Sequence, residues 1–209
     1  INFTATSSKI LANPLIKFQI KRILLRKNLK TIMAWTEESK SQVKNVLGKD
    51  FYKKIENKIK VVYPAVPFLS FQKKKSHKFK IIFIARYFYD KGGLYVCEVF
   101  KKLKKNYLNV ELQVVGNCPK EFEKKYPQVK FTNFIPRDKL MKEYFSQADL
   151  FLYPGFSDTF GFAFLEALSL GIPVVTVDGV ARREVIEDGK YGFVVDRPNN
   201  LNAQELNLE

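Results

Sequence analysis

From residue 80 onward the chain repeats one pattern: short, unbroken apolar runs separated by longer stretches of mixed polarity. The runs are KIIFIA (80–85), VELQVVG (110–116), VKFTNF (129–134), DLFLY (149–153), PVVTV (173–177) and GFVV (192–195). Rich in β-branched and aromatic residues and mostly continuous in their apolar character, they predict strands of a sheet covered on both faces. The intervening stretches predict helices over about 91–105, 119–126, 136–147, 160–170 and 181–187. Strands alternating with helices in this way predict a parallel sheet covered on both sides, so the expected fold class is a doubly wound α/β domain.

The pattern before residue 80 is less regular. KILANPLIKFQIKRILLRK (9–27) mixes apolar and basic residues at roughly helical spacing, with Pro14 near its first turn. Packing on a neighbouring domain is the favoured reading, and lying on an anionic membrane is the alternative. TIMAW (31–35) predicts a buried strand, and Thr36 is placed to cap a helix over 37–47 that Gly48 would stop. KIKVVYPAVP (58–67) is a short strand broken by two prolines, followed by the polar linker SFQKKKSHK (70–78). The expected division is therefore an N-terminal piece, 1–58, and an α/β domain, 59–209.

One predicted helix conflicts with its own composition. Within SDTFGFAFLEALSLGIPVV (157–175), Glu166 is surrounded on every side by Phe162, Ala163, Phe164, Leu165, Ala167, Leu168 and Leu170. A helix apolar all round is normally buried, and an ionised carboxylate buried without partners costs several kcal/mol. Glu166 is thus expected to meet a polar group: a ligand diol, or a core cation such as Arg182, Arg183 or a linker lysine.

Composition narrows the function classes. With 46% hydrophobic residues, 19 Phe and 10 Tyr in 209 residues, the chain is a folded one. Its 36 Lys and Arg against 21 Asp and Glu give a formal charge of +15, which attracts phosphates, nucleic acid or anionic lipid without choosing among them. Most lysines are scattered rather than interleaved with aromatics, which is the pattern of a solvated surface. Two cysteines, Cys97 and Cys118, make neither a disulfide framework nor a C-x-x-C pair, so a reducing compartment is expected. A single histidine, His77, in the linker argues against a His-based metal site or a Ser/His/Asp triad. No apolar run approaches the length of a membrane span.

In open parallel sheets, ligands bind beyond the carboxyl ends of the strands, where helix N-termini present free N–H groups. The first strand of the regular part runs into Arg86, with Lys91, Gly92 and Gly93 at the next helix start. Two cations and a helix N-terminus suit a diphosphate; two surface cations at a loop are the plain alternative. In PGFSDTFG (154–161), Asp158 is either a helix N-cap or an acceptor for ligand hydroxyls. DGVARREVIEDGKYG (178–192) adds Arg182 and Arg183, cations of unknown direction.

Taken together, IIFIARYFYDKGG, LQVVGN, VKFTNFIPRDKL, ADLFLYPGFSDTFGFAFLEALSLGIPVVTVDG and EVIEDGKYGFVV resemble the donor-binding half of GT-B-type glycosyltransferases of the large retaining family 4, over roughly residues 59–196. The most specific element is a carboxylate-x7-carboxylate segment, Asp158 and Glu166, running into LEALSLGIPVV. The resemblance implies a Rossmann-like GT-B C-terminal domain and hexosyl transfer from a nucleotide-diphosphate sugar, a UDP- or GDP-sugar, with no metal and no separate cofactor. Glu166 would bind the ribose hydroxyls and Asp158 the donor sugar. Backbone N–H groups around Phe160, Gly161 and Phe162 would hold the diphosphate with Arg86 and Lys91, and the main chain near Ile135 would meet the base. The implied acceptor is an unidentified glycan or lipid. No nucleic-acid partner is implied, and the implied location is cytoplasmic, with peripheral contact at the inner face of the membrane as an extension. The pattern is departed from at Asp158, where the usual residue is Glu, at Ala85 for a usual Gly, and at Val180 and Ala181 for paired glycines. The N-terminal 58 residues would be a remnant of an acceptor domain, so the piece is expected to bind donor weakly and transfer nothing by itself. A non-catalytic nucleotide- or anion-binding module on the same scaffold, and an electrostatic binder of nucleic acid or lipid, are the rival classes.

Overall fold

The computed structural model describes residues 13–73, 76–155, 160–179 and 181–197. The chain divides into two compact units, Ile1–Ala65 with Ser157–Phe160, and Val66–Phe156 with Gly161–Glu209.

In the first unit, α1 (Pro14–Leu24) starts with Pro14 just inside Asn13, whose Oδ1 accepts from the Leu15 N–H at 2.9 Å. It buries Ile20 and Leu24 and leaves Leu15 and Phe18 exposed. β1 (Ile32–Ala34) pairs in parallel with β2 (Ile59–Val61). The strand expected to be buried is not: Met33, midway along it, is 68% exposed, because β1 turns only part of its side chains inward. Between these strands lie α2 (Glu37–Leu47) and α3 (Lys49–Lys53). Thr36 caps α2 as its sequence predicts, Oγ1 accepting from the Ser39 N–H at 3.0 Å, and Gly48, at φ 91°, ends it.

The second unit carries a six-stranded parallel sheet in the order β5-β4-β3-β6-β7-β8. Its elements are β3 (Phe79–Ala85), α4 (Gly93–Asn106), β4 (Val110–Gly116), α5 (Lys120–Lys125), β5 (Lys130–Thr132), α6 (Arg137–Lys139), β6 (Leu150–Tyr153), α7 (Phe162–Ser169), β7 (Val174–Val177), α8 (Arg182–Val185) and β8 (Gly192–Val195). Most of the apolar runs bury their middle positions: Ile81, Ile82, Phe83, Leu112, Val114, Phe151 and Val174 are each no more than 3% exposed. The run GFVV does not meet the expectation of burial on both faces, because β8 is the edge strand and leaves Phe193 58% and Val195 55% exposed. Rings from strand and helix meet beneath α7, with Phe164 5.3 Å from Tyr153 and 6.1 Å from Phe151.

Two expectations need correction. Residues 136–147 do not form one regular helix: α6 passes into a π-turn, Leu140–Tyr144, and then a 3₁₀ turn, Phe145–Gln147. The hydroxyl of Ser146 donates to the Lys142 carbonyl at 2.6 Å, a side chain competing for the helix ladder where it widens. The all-apolar helix is also less buried than its composition predicts. Phe164 and Ala167 are fully buried, but Phe162, at the start of the helix, is 42% exposed. The polar linker, by contrast, is tied down: Lys73 donates to the Ala148 carbonyl at 2.9 Å and pairs with Asp149, and the Gln147 amide donates to the Gln72 carbonyl.

Candidate functional site

The strand order singles out one position. After β3 the chain builds outward through β4 and β5; after β6 it builds the other way through β7 and β8, and β3 and β6 lie side by side. Between strands that diverge in this manner a crevice opens beyond their carboxyl ends. The helices following them, α4 and α7, both start from a left-handed glycine, Gly92 and Gly161, each at φ 80° and each without a side chain to serve as the cap. First-turn N–H groups of a helix are anion donors.

Glycine is required here by close approach. A Cβ on Gly92 would stand 2.8 Å from Pro154 Cγ, and one on Gly155 would stand 3.2 Å from both the Cα and the carbonyl oxygen of Lys91. The turn before α4 therefore lies backbone-to-backbone on the loop after β6, with half-buried Lys91 at the seam. A Cβ on Gly161 would meet the Phe164 ring at 2.4 Å.

On the other side of the crevice, one segment gathers two of the sequence-derived residues. Exposed Arg86, directly after β3, sets its guanidinium 5.3 Å from the centre of the Phe134 ring. Glu166, its side chain 15% exposed, accepts from Arg137 Nε at 2.7 Å through Oε1. Phe134, half-buried Ile135 and Arg137 belong to the same loop and helix start after β5, so Arg86 and Glu166 both engage the segment expected to meet a base. The polar partner of Glu166 is thus none of the three named from sequence. Arg183 pairs with Asp178 at 2.9 Å and with Asp196, while Lys73 of the linker pairs with Asp149. Because the Arg137 side chain is 51% exposed, the Glu166 ion pair is a screened one worth about 0–1 kcal/mol.

Arg182 has the opposite environment. At 1% exposure it is the largest fully buried side chain among the described residues. One guanidinium nitrogen donates to Thr176 Oγ1 at 2.9 Å and to the Val177 carbonyl; the other donates to the Gly155 carbonyl. Thr176 Oγ1 in turn donates to the Tyr153 carbonyl at 2.6 Å, and the Arg182 guanidinium lies 5.5 Å from the centre of the Phe164 ring. Preceding it, Ala181 has a left-handed backbone, φ 65°, of the kind glycine adopts without strain.

The other residues singled out are placed as follows. Phe160, 2% exposed, clusters with the first unit, where its ring stands edge-on to Trp35 at 5.9 Å. Gly161 and Phe162 open α7. Asp158 and Val180 lie outside the described residues. Burial pushes the thiols of Cys97 and Cys118 up to about 12, so neither is a thiolate nucleophile at neutral pH. Arg137 is the residue that sequence reasoning left without a role, its only signal being a cation two residues past Ile135. Arg182, named from sequence as a possible partner of Glu166, is instead buried against backbone carbonyls and Thr176.

Residues 67–207 match the family model described as glycosyl transferases group 1. An uncharacterized 41.2 kDa protein of the cps region of Klebsiella pneumoniae is 30% identical over 155 residues, which make up 68% of this chain and 42% of that one. The capsular polysaccharide biosynthesis glycosyltransferase CapM of Staphylococcus aureus is 26% identical over 61% of this chain and 35% of its own length. Among solved structures, the pneumococcal O-GlcNAc transferase GtfA in complex with UDP and GlcNAc superimposes with a TM-score of 0.62 at 17% identity, over 85% of this chain and 36% of that one, a likeness of fold alone. The matches to these proteins span less than half of their lengths.

Proposed function

The chain belongs to the group 1 glycosyl transferases, and on that premise we propose that its α/β unit is the donor half of an enzyme transferring a hexosyl group, with retention, from a nucleotide-diphosphate sugar to an acceptor. The observation that carries the reading is Glu166. A partly buried carboxylate on an otherwise apolar helix commits one oxygen to a half-exposed arginine, and its second oxygen suits the vicinal hydroxyls of a ribose. The base would lie along the main chain at Ile135, with Arg86 and Arg137 on either side. The N-terminal turns of α4 and α7, with Gly161 and Phe162 at the second, would receive the diphosphate together with Lys91.

In this reading an acceptor hydroxyl oxygen bonds to the sugar's anomeric carbon on the face the diphosphate leaves, as the bond from that carbon to the diphosphate oxygen breaks and the hydroxyl proton passes to the departing diphosphate. The charge that develops on the diphosphate oxygen is neutralised by Arg86, Lys91 and the two helix N-termini, which are fixed before reaction. Asp158 is proposed to contact the donor sugar. Since the matched relatives are more than twice as long as the matched segment, this chain alone is proposed to bind donor weakly and to transfer nothing.

UDP is the first nucleotide to test, because GtfA was solved with it, and GDP the second. Calorimetric titration should show the diphosphate binding more tightly than the corresponding monophosphate, and Lys91→Ala should erase most of that difference, about tenfold. Equal affinity for mono- and diphosphate, or no binding of either nucleotide, would count against the reading.

A further inference from the structure

The residues assigned to donor contact leave unexplained why an arginine is buried among them. Desolvating a guanidinium is expensive, and its retention requires strong hydrogen bonds to fixed acceptors. Arg182 finds them at Val177 and Thr176 of β7 and at Gly155, just past the end of the neighbouring strand β6. Thr176 is itself fixed to the Tyr153 carbonyl, so the end of β6 and the end of β7 are locked to one another.

The same guanidinium reaches both ends of one segment. Its start, Gly155, is held through the carbonyl. Its end, Gly161, packs its Cα against the Phe164 ring, and that ring lies 5.5 Å under the guanidinium carbon. Gly155 also touches the Lys91 backbone. A single buried cation therefore connects the Lys91 turn, the beginning of the β6–α7 loop and the first turn of α7, which are the three places proposed above to meet the diphosphate. Space for it is provided by Gly179, where a Cβ would stand 3.2 Å from Arg182 Nε.

We propose that Arg182 is a positioning residue for diphosphate binding: through the Gly155 carbonyl and the Phe164 ring it sets the distance between Lys91 and the α7 N-terminus, and its fixed charge raises the positive potential there. The inference rests on the donor-site reading for its ligand but not for its geometry. A bidentate fork is needed, because Thr176 and Val177 lie on one side and Gly155 on the other, so lysine can satisfy only part of the network.

The experiment compares wild type with Arg182→Met, Arg182→Lys and Leu112→Ala, the last a fully buried core truncation on β4 that destabilises without touching the loop. Urea unfolding, UDP titration and amide hydrogen exchange at Gly155 and Gly161 are measured on each. Arg182→Met is expected to weaken UDP binding about tenfold or more and to speed exchange at those two amides selectively, with Arg182→Lys intermediate and Leu112→Ala changing stability alone. If Arg182→Met behaves as Leu112→Ala does, losing stability with unchanged UDP affinity and no selective exchange, the proposal is overturned. If wild type binds no UDP while Arg182→Met still selectively loosens the two amides, the donor-site reading fails and the positioning role stands.

Discussion

Replacing Gly92 by alanine tests whether the two loops meet as tightly as their backbones show. Gly92 has φ 80° and a Cβ there would stand 2.8 Å from Pro154 Cγ, a ring atom that cannot swing aside. Gly171, just past the C-terminus of α7, provides the control, since it has φ 69° and nothing within 4 Å of its added Cβ. Both substitutions incur the left-handed cost of about 1–2 kcal/mol, partly offset by about 0.4–1 kcal/mol from the narrower unfolded ensemble. Gly171→Ala should therefore cost no more than about 1–2 kcal/mol. Gly92→Ala adds overpacking of about 1–3 kcal/mol, for a total of about 1–5 kcal/mol. Urea denaturation of both variants with a common m-value measures the difference. UDP affinity should fall in Gly92→Ala, whose Lys91 seam is displaced, and stay constant in Gly171→Ala. Equal destabilisation of the two variants, within about 0.5 kcal/mol, would refute the close approach and with it the placement of Lys91.

Two further outcomes follow from charge and burial. Hydrogen bonds from Lys78 and then Lys130 hold the Glu111 carboxyl below its ordinary range, so its stabilisation is present above the unfolded value and is lost as pH falls through the folded one. Glu111→Gln should flatten the acid limb of the stability profile below about pH 4.3 and leave the neutral limb parallel to wild type, as read by urea midpoints at stepped pH. Cys97 and Cys118, raised to about 12 by burial, should resist alkylation by iodoacetamide at pH 8 in the native chain and react in urea, as followed by mass spectrometry.

Much of the fold is legible because unbroken apolar runs have one stable use. VELQVVG and GFVV match β4 and β8 residue for residue, and the Thr36 and Gly48 boundaries of α2 follow from capping chemistry alone. The π-turn within 136–147 is not legible, because the same spacing of Leu140, Met141 and Phe145 fits an ordinary helix and only Ser146 competes locally for the ladder. The exposure of Met33 and Phe162 is set by what covers each element, which periodicity does not report. At the candidate site, glycines at 92, 155 and 161 fall where a side chain or backbone passes too close for a Cβ. Side-chain partners were beyond reach: Arg182 and Arg183 are adjacent and chemically identical, yet one is buried against carbonyls and the other pairs with Asp178 and Asp196 at the surface. Glu166 could be recognised as needing a partner but not assigned Arg137, twenty-nine positions away in the chain.

The central claim, that the Glu166 carboxylate grips ribose, is tested most directly by titrating UDP and 2′-deoxy-UDP against wild type and Glu166→Ala. Wild type should prefer UDP by about tenfold or more, the worth of a hydroxyl bonded to a charged acceptor. Glu166→Ala should bind both nucleotides alike, at the level wild type shows for the deoxy form. A variant that still prefers UDP, or a wild type indifferent to the missing hydroxyl, would contradict it.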